Sequence, residues 1–155
     1  MKVKEIMKTD VLTVKRHQTL KECGEFLEKH DINGAPVMDG SRMVGMVTRT
    51  DVFRAILPTL PEVMCEEERY FRDPECIEER IERAEQMPIS EIMSTPVMSV
   101  EEDIPIIKAG SRMVLRRVKQ LPVMRAESLV GIVTLTDICR TLMARTSSRR
   151  QPTHA

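Results

Sequence analysis

The sequence predicts an α+β fold built twice over. One observation is an internal repeat that aligns without a gap. Glu5-Ile6-Met7 falls on Glu91-Ile92-Met93, and Pro36-Val37-Met38 on Pro122-Val123-Met124. Val44-Gly45, Val47-Thr48, Thr50-Asp51 and Arg54 fall on Val130-Gly131, Val133-Thr134, Thr136-Asp137 and Arg140. One shift of 86 positions, Glu5 to Glu91, serves every pair. A repeat of this kind means that one supersecondary unit is used twice. The second observation is that each copy alternates β-rich runs with stretches of helical period.

In the first copy a lead, Val3 to Met7, enters a strand over Val11 to Val14. A helix follows from Thr19 to His30. Thr19 and Glu22 have capping-box spacing, and Leu20, Cys23 and Leu27 form its apolar face. In the second copy Ile106, Ala109 and Met113 take those places, and Pro105 replaces the capping Thr, as the first turn of a helix tolerates. Two strands come next, Ala35 to Met38 and Met43 to Val47. Asp39-Gly40 suits the tight turn between them. The corresponding turn, Arg125-Ala126-Glu127-Ser128, has no glycine and is expected to differ in geometry. A last helix starts near Thr50-Asp51. Between the copies, Glu75 to Gln86 reads as a helix with Ile77, Ile81 and Ala84 on one side. The domain plan is therefore repeat 1 over 1–57, a helical connector over 58–88, repeat 2 over 89–145 and a flexible polar tail over 146–155.

Composition narrows the function. Hydrophobic residues make up 41% of 155, enough for a core, but aromatics only 3%, so Val, Ile, Leu and 12 Met must build it. Met7 and Met93 are expected in that core. The formal net charge is +0, which gives no global field for nucleic acid. No apolar run approaches a membrane span, and the N-terminus lacks a signal peptide's apolar core, so a cytoplasmic location is expected. Cys23, Cys65, Cys76 and Cys139 form no CxxC. Free buried thiols are the reading for Cys23 and Cys139, in place of zinc or a disulfide. His17, His30 and His154 are scattered, and no P-loop, GxSxG or metal-spaced cluster is present, so the chain reads as a non-enzyme with no required cofactor.

The stretches EIMKTDVLTV and INGAPVMDGSRMVGMVTRTDV, with EIMSTPVMSV, KQLPVM and LVGIVTLTDI in the second copy, resemble the CBS domain, named after cystathionine β-synthase. The likeness covers about residues 3–57 and 89–143. It implies paired α+β units packed through their sheets about a pseudo-two-fold axis, with two clefts between them. It also implies a regulatory ligand, AMP, ADP, ATP or S-adenosylmethionine, and dimerisation of the pair.

By that resemblance the adenine slot is lined by Val11, Leu12, Thr13, Asn33, Gly34 and Ala35, and by Val97, Met98, Ser99, Lys119, Gln120 and Leu121. Asp51 and Asp137 hold the family's ribose position, where a fixed carboxylate accepts from two adjacent hydroxyls. Thr48, Thr50, Thr134 and Thr136 sit just before a helix N-terminus, a setting that suits phosphate. Arg49, Lys119 and Arg116-Arg117 offer positive charge, or form a solvated face. Gly34 leaves room that Gln120 fills, so the two sites should not be equivalent. Thr48-x-x-Asp51 and Thr134-x-x-Asp137 are also helix-cap signatures that need no ligand.

The reading is a nucleotide-sensing homodimer that modulates an unknown, separate partner protein. Two alternatives stand beside it. One is a constitutive dimerisation or scaffold module with empty clefts. The other is a nucleic-acid-binding regulator using Arg149-Arg150 and Arg116-Arg117, against which the neutral charge and scarce aromatics argue.

Overall fold

The computed structural model describes residues 1–59, 61, 62, 64 and 72–148, with the side chains of 147 and 148 left aside. Cys65, Arg149-Arg150 and most of the expected tail lie outside the described residues. The chain divides into two compact units that cut across the repeat boundaries. Unit 1 joins Met1–Val11 to Met98–Ala155, and unit 2 is Leu12–Val97.

Unit 2 holds β1 (Val14–Lys15), α1 (Leu20–Lys29), β2 (Gly34–Asp39), β3 (Arg42–Thr48), α2 (Arg49–Ile56), α3 (Pro74–Glu85) and the single turn α4 (Ile89–Ile92). Its sheet runs β1-β2-β3, the first pair parallel and the second antiparallel. Thr19 and Glu22 close the expected capping box on α1. Asp73 caps α3, with Pro74 in its first turn, where a missing N–H costs nothing. Cys23, Leu27, Ala35, Val37, Val47 and Ile89 form the core.

Unit 1 begins with a 3₁₀ turn, Val3–Glu5. It continues with β4 (Val100–Glu101), α5 (Ile106–Arg116), β5 (Gln120–Arg125), β6 (Ser128–Thr134) and α6 (Leu135–Ser148). The sheet order is β4-β5-β6 with the same pairing senses. Even the irregularity recurs. The ladder slips between Val37 and Met38 in one sheet and between Val123 and Met124 in the other.

Each lead packs in the unit that contains the other repeat's sheet. Val3 N–H donates to Ile104 O at 2.9 Å and Lys4 N–H to Glu102 O at 2.9 Å. The second lead repeats this, with Ile89 N–H on Gln18 O at 2.8 Å and Ser90 N–H on Arg16 O at 3.1 Å. Lys8 and Ile132 exchange both backbone hydrogen bonds, as do Ser94 and Met46. The lead methionines lie over the strand glycines. A Cβ on Gly45 would stand 2.8 Å from Met93 Cγ, and one on Gly131 would stand 3.0 Å from both Met7 Cγ and Lys8 O. Close approach is thus the reason for a glycine in each strand. Met7 and Met93 join the cores of their units, as expected.

Three expectations need correction. The first strand of each copy starts only at Val14 and Val100, because the preceding residues carry the chain from one unit to the other. The glycine-free turn keeps the geometry of its counterpart, since Ala126 adopts φ 52° where Gly40 adopts φ 59°, a conformation that costs a residue with a Cβ ~1–2 kcal/mol. Cys139 is exposed, because α6 turns the neighbouring Ile138 into the core, while Cys23 is buried as expected.

Gly45→Ala is expected to destabilise the chain by ~1–3 kcal/mol in urea titrations, since Met93 must shift. Gly24→Ala in α1, where a Cβ meets nothing within 4 Å, should instead be neutral or stabilising by ~0.5–1 kcal/mol. The first lead is also expected to respond to pH. Hydrogen bonds from Lys4, then Lys2, hold the Asp103 carboxyl down to about 2 from an ordinary 3.8. A depressed carboxylate contributes above its unfolded pKa and loses that contribution as pH falls through the folded one. Amide exchange at Val3 and Lys4 should therefore quicken as pH drops from about 4 toward 2, after correction for intrinsic exchange. Asp103→Asn should weaken the dependence and leave the part due to Glu102, whose carboxyl Arg125 also holds below its ordinary value.

Candidate functional site

In both units β6-type and β3-type strands end on a threonine that caps the following helix. In unit 2, Thr48 N–H and Thr48 Oγ1–H each donate to Asp51 Oδ2 at 2.9 Å, and Asp51 N–H donates to Thr48 Oγ1 at 3.3 Å. The capping box fixes one carboxylate oxygen. Asp51 Oδ1 carries only long contacts, with Arg54 Nη1 at 3.3 Å and Ser94 Oγ at 3.5 Å. At 6% exposure Asp51 is the one buried charged residue among those described. Its charge also acts on Cys23, whose thiol is pushed up to about 11, chiefly by burial and then by Asp51.

Unit 1 builds the same corner. Thr134 Oγ1–H donates to Asp137 Oδ2 at 2.6 Å, Asp137 N–H donates to Thr134 Oγ1 at 3.1 Å, and Arg140 stands 3.7 Å from Oδ1. The start of the middle strand lies beside each corner. Gly34 is paired with Thr48 and Gln120 with Thr134. Arg49 N–H donates to Asn33 O at 2.8 Å, and Leu135 N–H to Lys119 O at 2.9 Å. Asn33, Gly34, Thr48, Arg49 and Asp51 therefore come together, as do Lys119, Gln120, Thr134 and Asp137. Ala35 and Leu121 sit one residue further along, buried in the two cores. Thr50 and Thr136 are exposed on the first turns. Val11, Leu12 and Thr13, like Val97, Met98 and Ser99, flank the points where the chain crosses between units. Among the described residues no hydrogen bond ties them to the helix starts.

Two details distinguish the corners. Gln120 Nε2 is buried without a hydrogen-bond partner, where the first copy has Gly34 and no side chain. Ser94 reaches Asp51, whereas the aligned residue in unit 1 is Lys8. Ser94 carries no signal in the sequence, because the repeat places each lead with its own copy. The lead's alignment carried the position, and nothing in it signalled the exchange. Arg49 is engaged at the end of α1, with Nε donating to Ile32 O at 3.0 Å and Glu28 and Asp31 within ion-pair distance. No group of three or more potential metal ligands occurs among the described residues, and no helix there is long and apolar enough to cross a membrane.

These repeated strand–threonine–helix corners define a tandem α+β module, and comparison with known proteins names its family. The CBS domain profile matches residues 3–58 and 89–144, and the chain belongs to the CBS domain family. It is similar to the CBS domain-containing protein YhcV of Bacillus subtilis, 28% identical over 94% of this chain and 89% of that protein. It is also 27% identical, over 97% of its length, to the A-adding tRNA nucleotidyltransferase of Geobacter sulfurreducens, but spans only 14% of that enzyme. The fold resembles that of the CBS domain pair of protein MJ0100, solved with 5′-methylthioadenosine and S-adenosyl-L-methionine. There the TM-score is 0.70 at 24% identity, covering 94% of this chain and 98% of that one. It also resembles CBSX2, solved with AMP, at a TM-score of 0.69 and 18% identity over 94% and 98%.

Proposed function

We propose that the chain is a regulatory module that binds AMP, ADP, ATP or S-adenosylmethionine and modulates a separate protein, acting as a cytoplasmic homodimer. The observation that carries this reading is the oriented carboxylate at each helix start, buried in the case of Asp51. Thr48 fixes Asp51 Oδ2, and Oδ1 is left with contacts of 3.3 Å and longer. An oriented acceptor with spare capacity matches the two hydroxyl donors of a ribose. The N-terminus of α2, with Thr48 and Thr50, matches a phosphate or another anionic group. The adenosine ligands named for MJ0100 and CBSX2 support the same class. The slot residues Val11 to Thr13, Asn33 to Ala35, Val97 to Ser99 and Lys119 to Leu121 belong to this proposal. Gln120 Nε2 would supply a donor in the second site that the first lacks, so the two sites should differ in affinity.

The capping role of Asp51 dictates the test. Asp51→Ala would remove the carboxylate half of the Thr48–Asp51 capping box, at a cost of ~1 kcal/mol, and confuse folding with binding. Asp51→Asn keeps an oxygen for Thr48 and removes the charge. Calorimetry of the full chain with AMP, ADP, ATP and S-adenosylmethionine should show binding of at least one. Asp51→Asn should weaken it about tenfold with the thermal melt little changed. Binding by none of the four would favour the scaffold reading, and unchanged affinity in Asp51→Asn would remove the carboxylate from the site.

A further inference from the structure

The two leads differ in charge although the repeat aligns them. The first lead carries Lys2, Lys4 and Lys8, and the second has Pro88, Ser90 and Ser94 at those positions. Glu5 and Glu91 are common to both. The turns that receive the leads differ in charge as well. The second repeat has Glu101, Glu102 and Asp103 where the first has Lys15, Arg16 and His17. Even the brace of each turn is reversed. Arg125 donates to Glu102 at 2.6 and 2.9 Å in unit 1, whereas in unit 2 Arg16 donates to Asp39 at 3.0 Å.

The backbone does not tell the leads apart. Val3 and Lys4 donate to Ile104 O and Glu102 O, and the aligned Ile89 and Ser90 donate to the aligned Gln18 O and Arg16 O. The side chains do. In unit 1, Lys2 Nζ and Lys4 Nζ reach Asp103 Oδ1 at 3.0 and 2.8 Å. In unit 2, the Arg16 guanidinium pairs with Asp39 on the sheet, and Lys21 pairs with Glu85 at the end of α3. Among the described residues no ion pair joins the second lead to its turn. On the turn of its own repeat, held by the same backbone bonds, the first lead would set Lys2 and Lys4 against Arg16 and His17. On the acidic turn, the second lead would leave Asp103 with neither lysine.

We infer that charge assigns the first lead: its lysines fasten it to the acidic turn of unit 1 and bar it from the basic turn of the repeat to which it belongs. Exposed pairs of this kind are individually weak and are screened by salt. Selection needs only a difference, and the same lysines attract at one turn and repel at the other. The second lead carries a single charge, Glu91, and Ile89 in the core of unit 2 holds it in place. This assignment is independent of nucleotide binding.

Amide exchange of the full chain reads each lead by itself. Lys8 and Ile132 report on the first, and Ser94 and Met46 on the second. Glu102→Arg, Asp103→Lys and Arg125→Asp together give unit 1 a basic turn, with the arginine and aspartate placed as Arg16 and Asp39 are in unit 2. Exchange at Lys8 and Ile132 should then quicken about tenfold, with Ser94 and Met46 unchanged. Lys2→Glu with Lys4→Glu on the native turn should do the same. The two sets combined should return exchange to within about threefold of wild type, since opposite charges meet again. Unchanged exchange at Lys8 and Ile132 in the basic-turn variant would overturn the assignment. So would an equal quickening at Ser94 and Met46, which marks general destabilisation, or a combined variant no slower than its parts.

Discussion

Each strand glycine accepts a methionine from the lead of the other repeat, and much of the architecture follows from that contact. Gly45 and Gly131 lack a Cβ because Met93 and Met7 occupy the space. The lead is then locked by backbone hydrogen bonds, Lys8 with Ile132 and Ser94 with Met46. It follows that neither repeat completes its own core. Ile89 belongs to the core built from the first repeat, and Val3 to the core built from the second. A duplication whose halves exchange a segment in this way is tied together more firmly than two beads on a linker.

The same contact shapes the candidate site. By bringing the second lead onto β3, it places the Ser94 hydroxyl beside Asp51 Oδ1. The corner is otherwise made by local chemistry. Thr48 ends a strand, caps a helix and fixes one oxygen of Asp51, so the carboxylate is both a structural cap and an oriented acceptor. Folding therefore preorganises the group, at a helix N-terminus whose dipole favours an anion. The second corner reuses the device with Thr134 and Asp137. It differs where the duplication has drifted, at Gln120 in place of Gly34 and at Lys8 in place of Ser94.

Local signals were read well from the sequence. The capping boxes at Thr19 and Thr48, the start of the connector helix near Glu75, and the paired strands on either side of Asp39-Gly40 all depend on residues within a few positions of one another. The strand glycine shared by the two copies is visible in the repeat, but the methionine that approaches it is not, because nothing local says which repeat a lead will join. The turn at Ala126 departs from its expectation for a related reason. A missing glycine signals a cost, and the β5–β6 ladder on either side imposes the left-handed conformation regardless. Cys139 was placed inside by the apolar character of its helix, although Ile138 takes the inward position.

The exchange of leads is the claim on which the account stands, and an isotope-edited NOE experiment on methyl-labelled methionine tests it directly. The Met7 methyl should show cross-peaks to Gly131 and the Met93 methyl to Gly45. Cross-peaks from Met7 to Gly45 and from Met93 to Gly131 would mean that each repeat keeps its own lead, and would contradict the architecture described here.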